Sequence, residues 1–216
     1  MRRIITLFIL SSSFFISFAK AGFQNFTGTD FNWFAIWLSF CFGLLFTILF
    51  RFLNRHSKTI DLRSNAGQPF SGWIIFLGFN LILRIIVQIY FFWDANYYLE
   101  ATWLYLYETG GTGLQALFIF ELFLSLFAIT GTGALIYWYW GKRDIFPAMF
   151  IYYVGFYLIA TMVLFIIYRN INLPADMISI RRNGIFQISR IIYAATWIIY
   201  ILKSEQVKQT FVYPPN

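Results

Sequence analysis

Apolar residues in this chain gather into five long runs, at residues 33–50, 73–93, 115–140, 146–168 and 185–202, while charge collects in the segments between them. At 1.5 Å of rise per residue, each run as a helix suffices to cross a hydrocarbon core ~30 Å thick. The pattern predicts an all-α, polytopic membrane helix bundle, with a four-helix core from the last four runs and one extra N-terminal span from the first. A further apolar stretch, residues 4–18, follows Arg2 and Arg3 and precedes Ala19-Lys20-Ala21, the order of regions in a secretory signal peptide. A signal anchor that stays attached is the alternative, although Ser11, Ser12 and Ser13 would make it a poor permanent span. The chain thus divides into residues 1–21, signal peptide or signal anchor; 22–54, the N-terminal span; 55–71, a basic cytoplasmic loop; and 72–212, the four-helix core with its tail.

Polar residues inside the runs are few and periodic. Asn80, Arg84 and Gln88 fall four apart in the second run and so share one helical face. Glu121, Ser125, Ala128 and Thr132 make a second such face, and Asn183, Gln187, Arg190 and Ala194 a third. An arginine near the bilayer centre costs at least ~2.5 kcal/mol, so the stripes are expected to converge inside the bundle. Counted along the helix axis from the basic ends of their runs, Arg84 lies about 17 Å deep, Arg190 about 20 Å and Glu121 about 27 Å. An arginine side chain spans much of that offset, and Glu121 is expected to pair with Arg190 or Arg84. Two arginines against one carboxylate leave a positive charge for carbonyls, water or an anionic ligand to balance. A dry, fully paired cluster would be glue that sets helix register in an accessory or interaction protein. A water-accessible cavity reaching the cluster would instead indicate a small transporter or a lipid- or anion-binding protein. On the residues alone the first reading leads.

Composition agrees with the membrane assignment, since the chain is 60% hydrophobic and only 12% charged against about a quarter in soluble proteins. The net charge of +7 does not indicate nucleic acid, because the basic residues sit at the ends of apolar runs. Arg51, Arg55, Lys58 and Arg63 follow the first span, Lys142 and Arg143 the third, and Lys203 and Lys208 the last. Residues 94–114 carry Asp94, Glu100 and Glu108 and no Lys or Arg. The positive-inside rule then puts the mature N-terminus outside and the C-terminus in the cytoplasm, with Arg169, Arg181 and Arg182 against the trend. Catalysis finds little support: His56, the sole histidine, lies in the basic loop, Cys41 is the sole cysteine, and Glu121 and Asp176 have no paired-acid spacing. No nucleotide fingerprint surrounds Gly110-Gly111-Thr112-Gly113, which reads as a flexible turn. The expectation is a protein without catalysis, cofactor or metal.

The connector 94–115 is rich in Tyr97, Tyr98, Trp103, Tyr105 and Tyr107, which suits a segment at headgroup level. Gly131, Gly133, Ala134, Gly155, Ala160, Ala194 and Ala195 would permit close helix approach. In the tail, Val207 and Phe211 beside Lys203 and Lys208 suit a short helix on the inner leaflet or a cytosolic docking site.

Trp197-Ile198-Ile199-Tyr200, followed by Ser204, Val207, Thr210 and Phe211, resembles the ending of a family of bacterial inner-membrane proteins known as domain of unknown function 2569. Gly72-Trp73 and Phe146-Pro147 resemble its pattern at the openings of the second and fourth runs, so the resemblance covers roughly residues 71–212. It implies a four-helix core with both ends cytoplasmic, in the bacterial inner membrane, and nothing about activity. The front of the chain is an addition to that unit, and Ile199 stands where many members have proline. Expected partners are the lipid bilayer together with a protein or an anionic lipid.

Overall fold

The computed structural model describes residues 31–55, 70, 72–171 and 184–211, with side chains of the last segment from Gln187 onward. The signal-like segment 1–21, residues 56–69 and 71 of the basic loop, and Asp176, Arg181, Arg182 and Asn183 lie outside the described residues. The described residues form α1 (Trp33–Arg55), α2 (Trp73–Asp94), α3 (Glu100–Trp140), α4 (Phe146–Asn170), α5 (Gly184–Lys203) and α6 (Glu205–Phe211). Helices α1 to α4 are each long and apolar enough to cross a membrane. With 20 residues, α5 reaches about 30 Å at 1.5 Å per residue. The all-α bundle expected from the apolar runs is therefore present.

Helix α3 is the hub, packing against α1, α2 and α4, while α5 packs on α4. The outer faces remain apolar, with Ile75, Phe79, Ile86, Ile159, Ile166 and Ile192 all exposed, as a hydrocarbon solvent requires. The added span α1 buries only Ala35 and Phe46 and turns Trp37, Phe40, Ile48 and Phe52 outward. Asn32 caps it, accepting the Ala35 N–H at 2.9 Å through Oδ1, and donates its own N–H to the Tyr98 carbonyl at 3.0 Å.

The end of the bundle that carries Arg55, Lys142, Arg143 and Lys203 is sealed. Tyr139 is buried and its hydroxyl donates to the Ile74 carbonyl at 2.7 Å. This requires Gly78, where an added Cβ would lie 2.6 Å from the Tyr139 ring. Phe146 and Phe211 meet at 4.7 Å between ring centroids, and Tyr139 contacts both. The tail thus departs from the leaflet or docking role expected of it. Val207 and Phe211 are 1% and 0% exposed, because the break at Ser204 folds α6 back and burial against aromatic rings removes both side chains from solvent. Lys142, in the α3–α4 turn, holds its ammonium 4.8 Å from the Phe70 ring centroid, and burial pushes its pKa below the usual lysine value.

At the far end, residues 94–115 do not finish in the flexible turn expected at the glycines. A turn at residues 95–98 leads straight into α3, which breaks at Gly110 and Gly111. Gly111 adopts φ 64° and ψ −156°, a region open in practice to glycine alone. The break folds the first turns of α3 back on the rest: Trp103 Nε1 donates to the Tyr97 carbonyl at 2.8 Å, and Gln115 Nε2 to the Trp103 carbonyl at 3.2 Å. Trp103 is buried by this fold, while Leu104 and Tyr107 face outward.

Close helix approach was expected at several small residues, and the contacts separate them. An added Cβ at Gly131 would meet the Tyr153 ring at 2.6 Å, whereas at Gly155 it would meet nothing within 4 Å. Replacing an interior helical glycine by alanine gains about 1 kcal/mol of helix propensity. Gly155→Ala is therefore expected to raise the melting temperature in detergent and Gly78→Ala to lower it, since the latter displaces Tyr139 from Ile74. The reverse order in a thermal unfolding series would refute this packing.

Candidate functional site

The polar stripe of α2 meets α3, α4 and α5 at its three successive positions. Asn80, nearest the sealed end, accepts a hydrogen bond from the Tyr193 hydroxyl of α5 at 2.8 Å. Two turns further on, Gln88 enters a closed network. Its amide satisfies every neighbour when the oxygen faces Arg84, and we assign it so. The amide nitrogen then donates to the Ala128 carbonyl at 3.1 Å and to Thr132 Oγ1 at 2.9 Å, and the oxygen accepts from Arg84 Nε at 3.2 Å. Thr132 Oγ1 and the Tyr153 hydroxyl lie 2.8 Å apart, and that hydroxyl is 3.0 Å from the Ala128 carbonyl. The spacing of α3 thus puts Ala128 and Thr132, one helical turn apart, around a single glutamine of α2.

Arg84 lies between these groups. Its guanidinium carbon is 5.1 Å from the Tyr153 ring centroid, 5.3 Å from that of Tyr157 and 5.2 Å from that of Tyr193. Cation–π contacts contribute roughly 0.5–2 kcal/mol each, rising as water is excluded. Three of them with the Gln88 bond are comparable to the ~2.5–3.5 kcal/mol that insertion scales assign to a central arginine. Neutral groups therefore suffice to hold the cation, and no carboxylate is needed. Because the protein's own guanidinium fills the aromatic cage, the cage is closed to a cationic ligand.

The pairing of Glu121 with Arg84 or Arg190 accordingly does not form. Among the described residues neither arginine makes an ion pair, and Arg190 donates to Gln187 Oε1 at 3.3 Å, one turn away on α5. Depth along the axis says nothing about the direction of each side chain around it, and Arg84 turns toward the tyrosines of α4 and α5. Glu121 is 7% exposed, and Ser125 lies 2.9 Å from the Tyr97 hydroxyl.

What unites Arg84, Gln88, Glu121, Ser125, Gln187 and Arg190 is a cavity of about 820 Å³ that all six line. It extends from Arg84 to the α2–α3 turn, where Asp94 and Asn96 at its rim are exposed. Asn80 does not line it. Toward the sealed end the cavity stops at Arg84, Tyr193 and Ala194, beyond which lie the buried side chains of Leu77, Leu81, Phe150 and Trp197. The cluster is therefore divided into a packed, hydrogen-bonded half and a half that faces open space.

Helix α4 supplies Tyr153, Tyr157 and Thr161, and none of these was among the expected site residues. Their own spacing of four carries the signal, a polar stripe like that of Asn80, Arg84 and Gln88. Among the described residues no group of His, Cys, Asp and Glu has the arrangement of a metal site.

Residues 67–212 match the model of a family described as protein of unknown function (DUF2569), and the chain belongs to that family. No curated protein and no solved structure matches it. Helix α1 precedes the matched region, whereas every residue lining the cavity falls within it.

The geometry distinguishes two tyrosines of the cage. Among the described residues the Tyr157 hydroxyl makes no hydrogen bond, whereas that of Tyr153 joins Thr132, Gln88 and Ala128. Tyr153→Phe is expected to cost about 1–3 kcal/mol by leaving buried partners unsatisfied, and Tyr157→Phe nearly nothing. Equal losses in chemical unfolding would show that the network does not close around Tyr153.

Proposed function

We propose that this family member is a non-catalytic membrane protein that binds an anionic group, a phosphate or a carboxylate, in the cavity that ends at Arg84. The observation that carries this reading is the pairing of open space with a guanidinium that makes no ion pair among the described residues, in a cavity that Asp94 and Glu121 also line. A guanidinium that cannot deprotonate lines the cavity, its surroundings are a glutamine and three tyrosine rings, and Gln88 uses one of its five donors. Arg190 lines the same space and supplies a second cation. In so weakly polar a setting a charge-assisted hydrogen bond from arginine to an anion is roughly twice as strong as a neutral one.

A dry, fully paired cluster would have favoured an accessory protein without a ligand. Asn80, Thr132 and Tyr153 fit that description, but Arg84 and Arg190, which line open space and make no ion pair among the described residues, do not. Of the cavity readings, binding is better supported than transport, because aromatic packing closes the cavity toward the basic end. The concentration of Arg55, Lys142, Arg143 and Lys203 at that end supports a cytoplasmic orientation for it, in a bacterial inner membrane, with the cavity mouth facing outward.

Purified protein in an uncharged detergent is expected to be stabilised by dodecyl phosphate by roughly 5 °C at saturation, the scale that a ligand at a hundred times its Kd produces. Arg84→Gln should fold and show no such shift, while Arg84→Lys should retain part of it. An equal shift in wild type and Arg84→Gln would remove the site. A periplasmic phosphatase fused after Asn216 should stay inactive, and activity there would reverse the orientation.

A further inference from the structure

We infer that the ligand is an amphiphile drawn from the membrane itself, a lipid with one anionic headgroup, whose acyl chain leaves the cavity sideways between α2 and α5. This inference rests on the anion-binding reading above and adds the source and route of the ligand.

The α2–α5 seam changes character at Arg84. On the sealed side the helices are joined, by the Tyr193 hydroxyl on Asn80 at 2.8 Å and by the stacked rings of Phe76 and Trp197 at 5.9 Å. At Arg84 itself the guanidinium lies over the Tyr193 ring. Beyond Arg84, none of Val87, Phe91, Gln187 and Arg190 makes a hydrogen bond or ring contact to the other helix among the described residues. There the cavity lies between them, with Val87 and Phe91 of α2 and Gln187 and Arg190 of α5 in its walls. Val87 and Phe91 are also 42% and 40% exposed, so these two apolar side chains of the cavity wall are not covered by protein.

The lining is suited to an amphiphile. Arg84 and Arg190 offer charge at the inner end, while Val87, Phe91, Leu158 and Leu164 offer an apolar surface. A small hydrophilic anion would leave that apolar wall against water, whereas an acyl chain covers it and continues into the hydrocarbon region without crossing a polar barrier. Volume agrees, since about 820 Å³ exceeds what a phosphate or small carboxylate fills and falls within the ~300–1,000 Å³ of ordinary ligand sites.

The test uses the full chain in phosphatidylcholine vesicles containing a trace of phosphatidic acid with a photoreactive diazirine on its acyl chain, and peptide mapping of the labelled protein. Labelling is expected at Val87 and Phe91 at least tenfold above that at Trp37 and Ile48 on the outer face of α1. It should fall to the α1 level in Arg84→Gln and persist in Arg84→Lys, and a diazirine phosphatidylcholine should not reproduce it. Val87→Trp, which narrows the seam and leaves Arg84 in place, should reduce the acyl labelling without abolishing Arg84-dependent binding of soluble glycerol 3-phosphate. Uniform labelling of α1 and α2 overturns the inference. If glycerol 3-phosphate binds through Arg84 while the lipid does not label the seam, the anion site stands and the lipid assignment falls. If neither probe depends on Arg84, both fall.

Discussion

A guanidinium that keeps its proton, set in the middle of a helix whose other faces are Ile, Leu, Phe and Val, is the constraint around which this bundle is arranged. Arg84 has to be shielded from lipid. The protein meets that demand with electron-rich rings from two helices and one amide oxygen from its own helix, each of them fixed in turn. Tyr193 is held by Asn80, Tyr153 by Thr132 and Ala128, and Gln88 by Ala128 and Thr132. The network thereby ties α2 to α3, α4 and α5, and removing a member would loosen helix register as well as the arginine.

The two ends of the molecule serve that centre in opposite ways. At the basic end Gly78 lets Tyr139 reach Ile74, and α6 returns to set Phe211 on Phe146, and the Arg84 cavity does not extend there. Toward the far end the break at Gly111 draws Trp103 in over Phe118, and the cavity lies between α2, α3, α4 and α5. A polar centre with one sealed side and one open side has the form of a binding site with a floor. The same residues at the centre of a uniformly packed bundle would be structural only.

Much of this was legible in the sequence because its signals are periodic. Runs of about twenty apolar residues define spans, and a spacing of four located Asn80, Arg84 and Gln88 on one face, with Glu121, Ser125, Gln187 and Arg190 on faces that share a cavity with Arg84 and Gln88. What escaped has a physical reason in each case. Tyr153 and Tyr157 pass for apolar residues in a membrane span, although their rings are what balances Arg84. The partner of an arginine depends on its direction around the helix axis, and depth along the axis cannot supply it, so Glu121 was an attractive but wrong counter-ion. Val207 and Phe211 have the spacing of a surface-seeking helix, and only the turn at Ser204 determines that their apolar face is buried against Phe146 and Tyr139. The cavity itself is a property of four helices together and leaves no mark on any one of them.

The most direct measurement of the central claim is an experimental structure of the protein in lipid nanodiscs, refined well enough to place the Arg84 guanidinium and any density beside it. The expected result is the guanidinium among Tyr153, Tyr157 and Tyr193, bonded to Gln88, with the headgroup of an anion in the cavity on its open side. A salt bridge from Glu121 to Arg84 or Arg190, with side chains filling the space between α2 and α5, would contradict it.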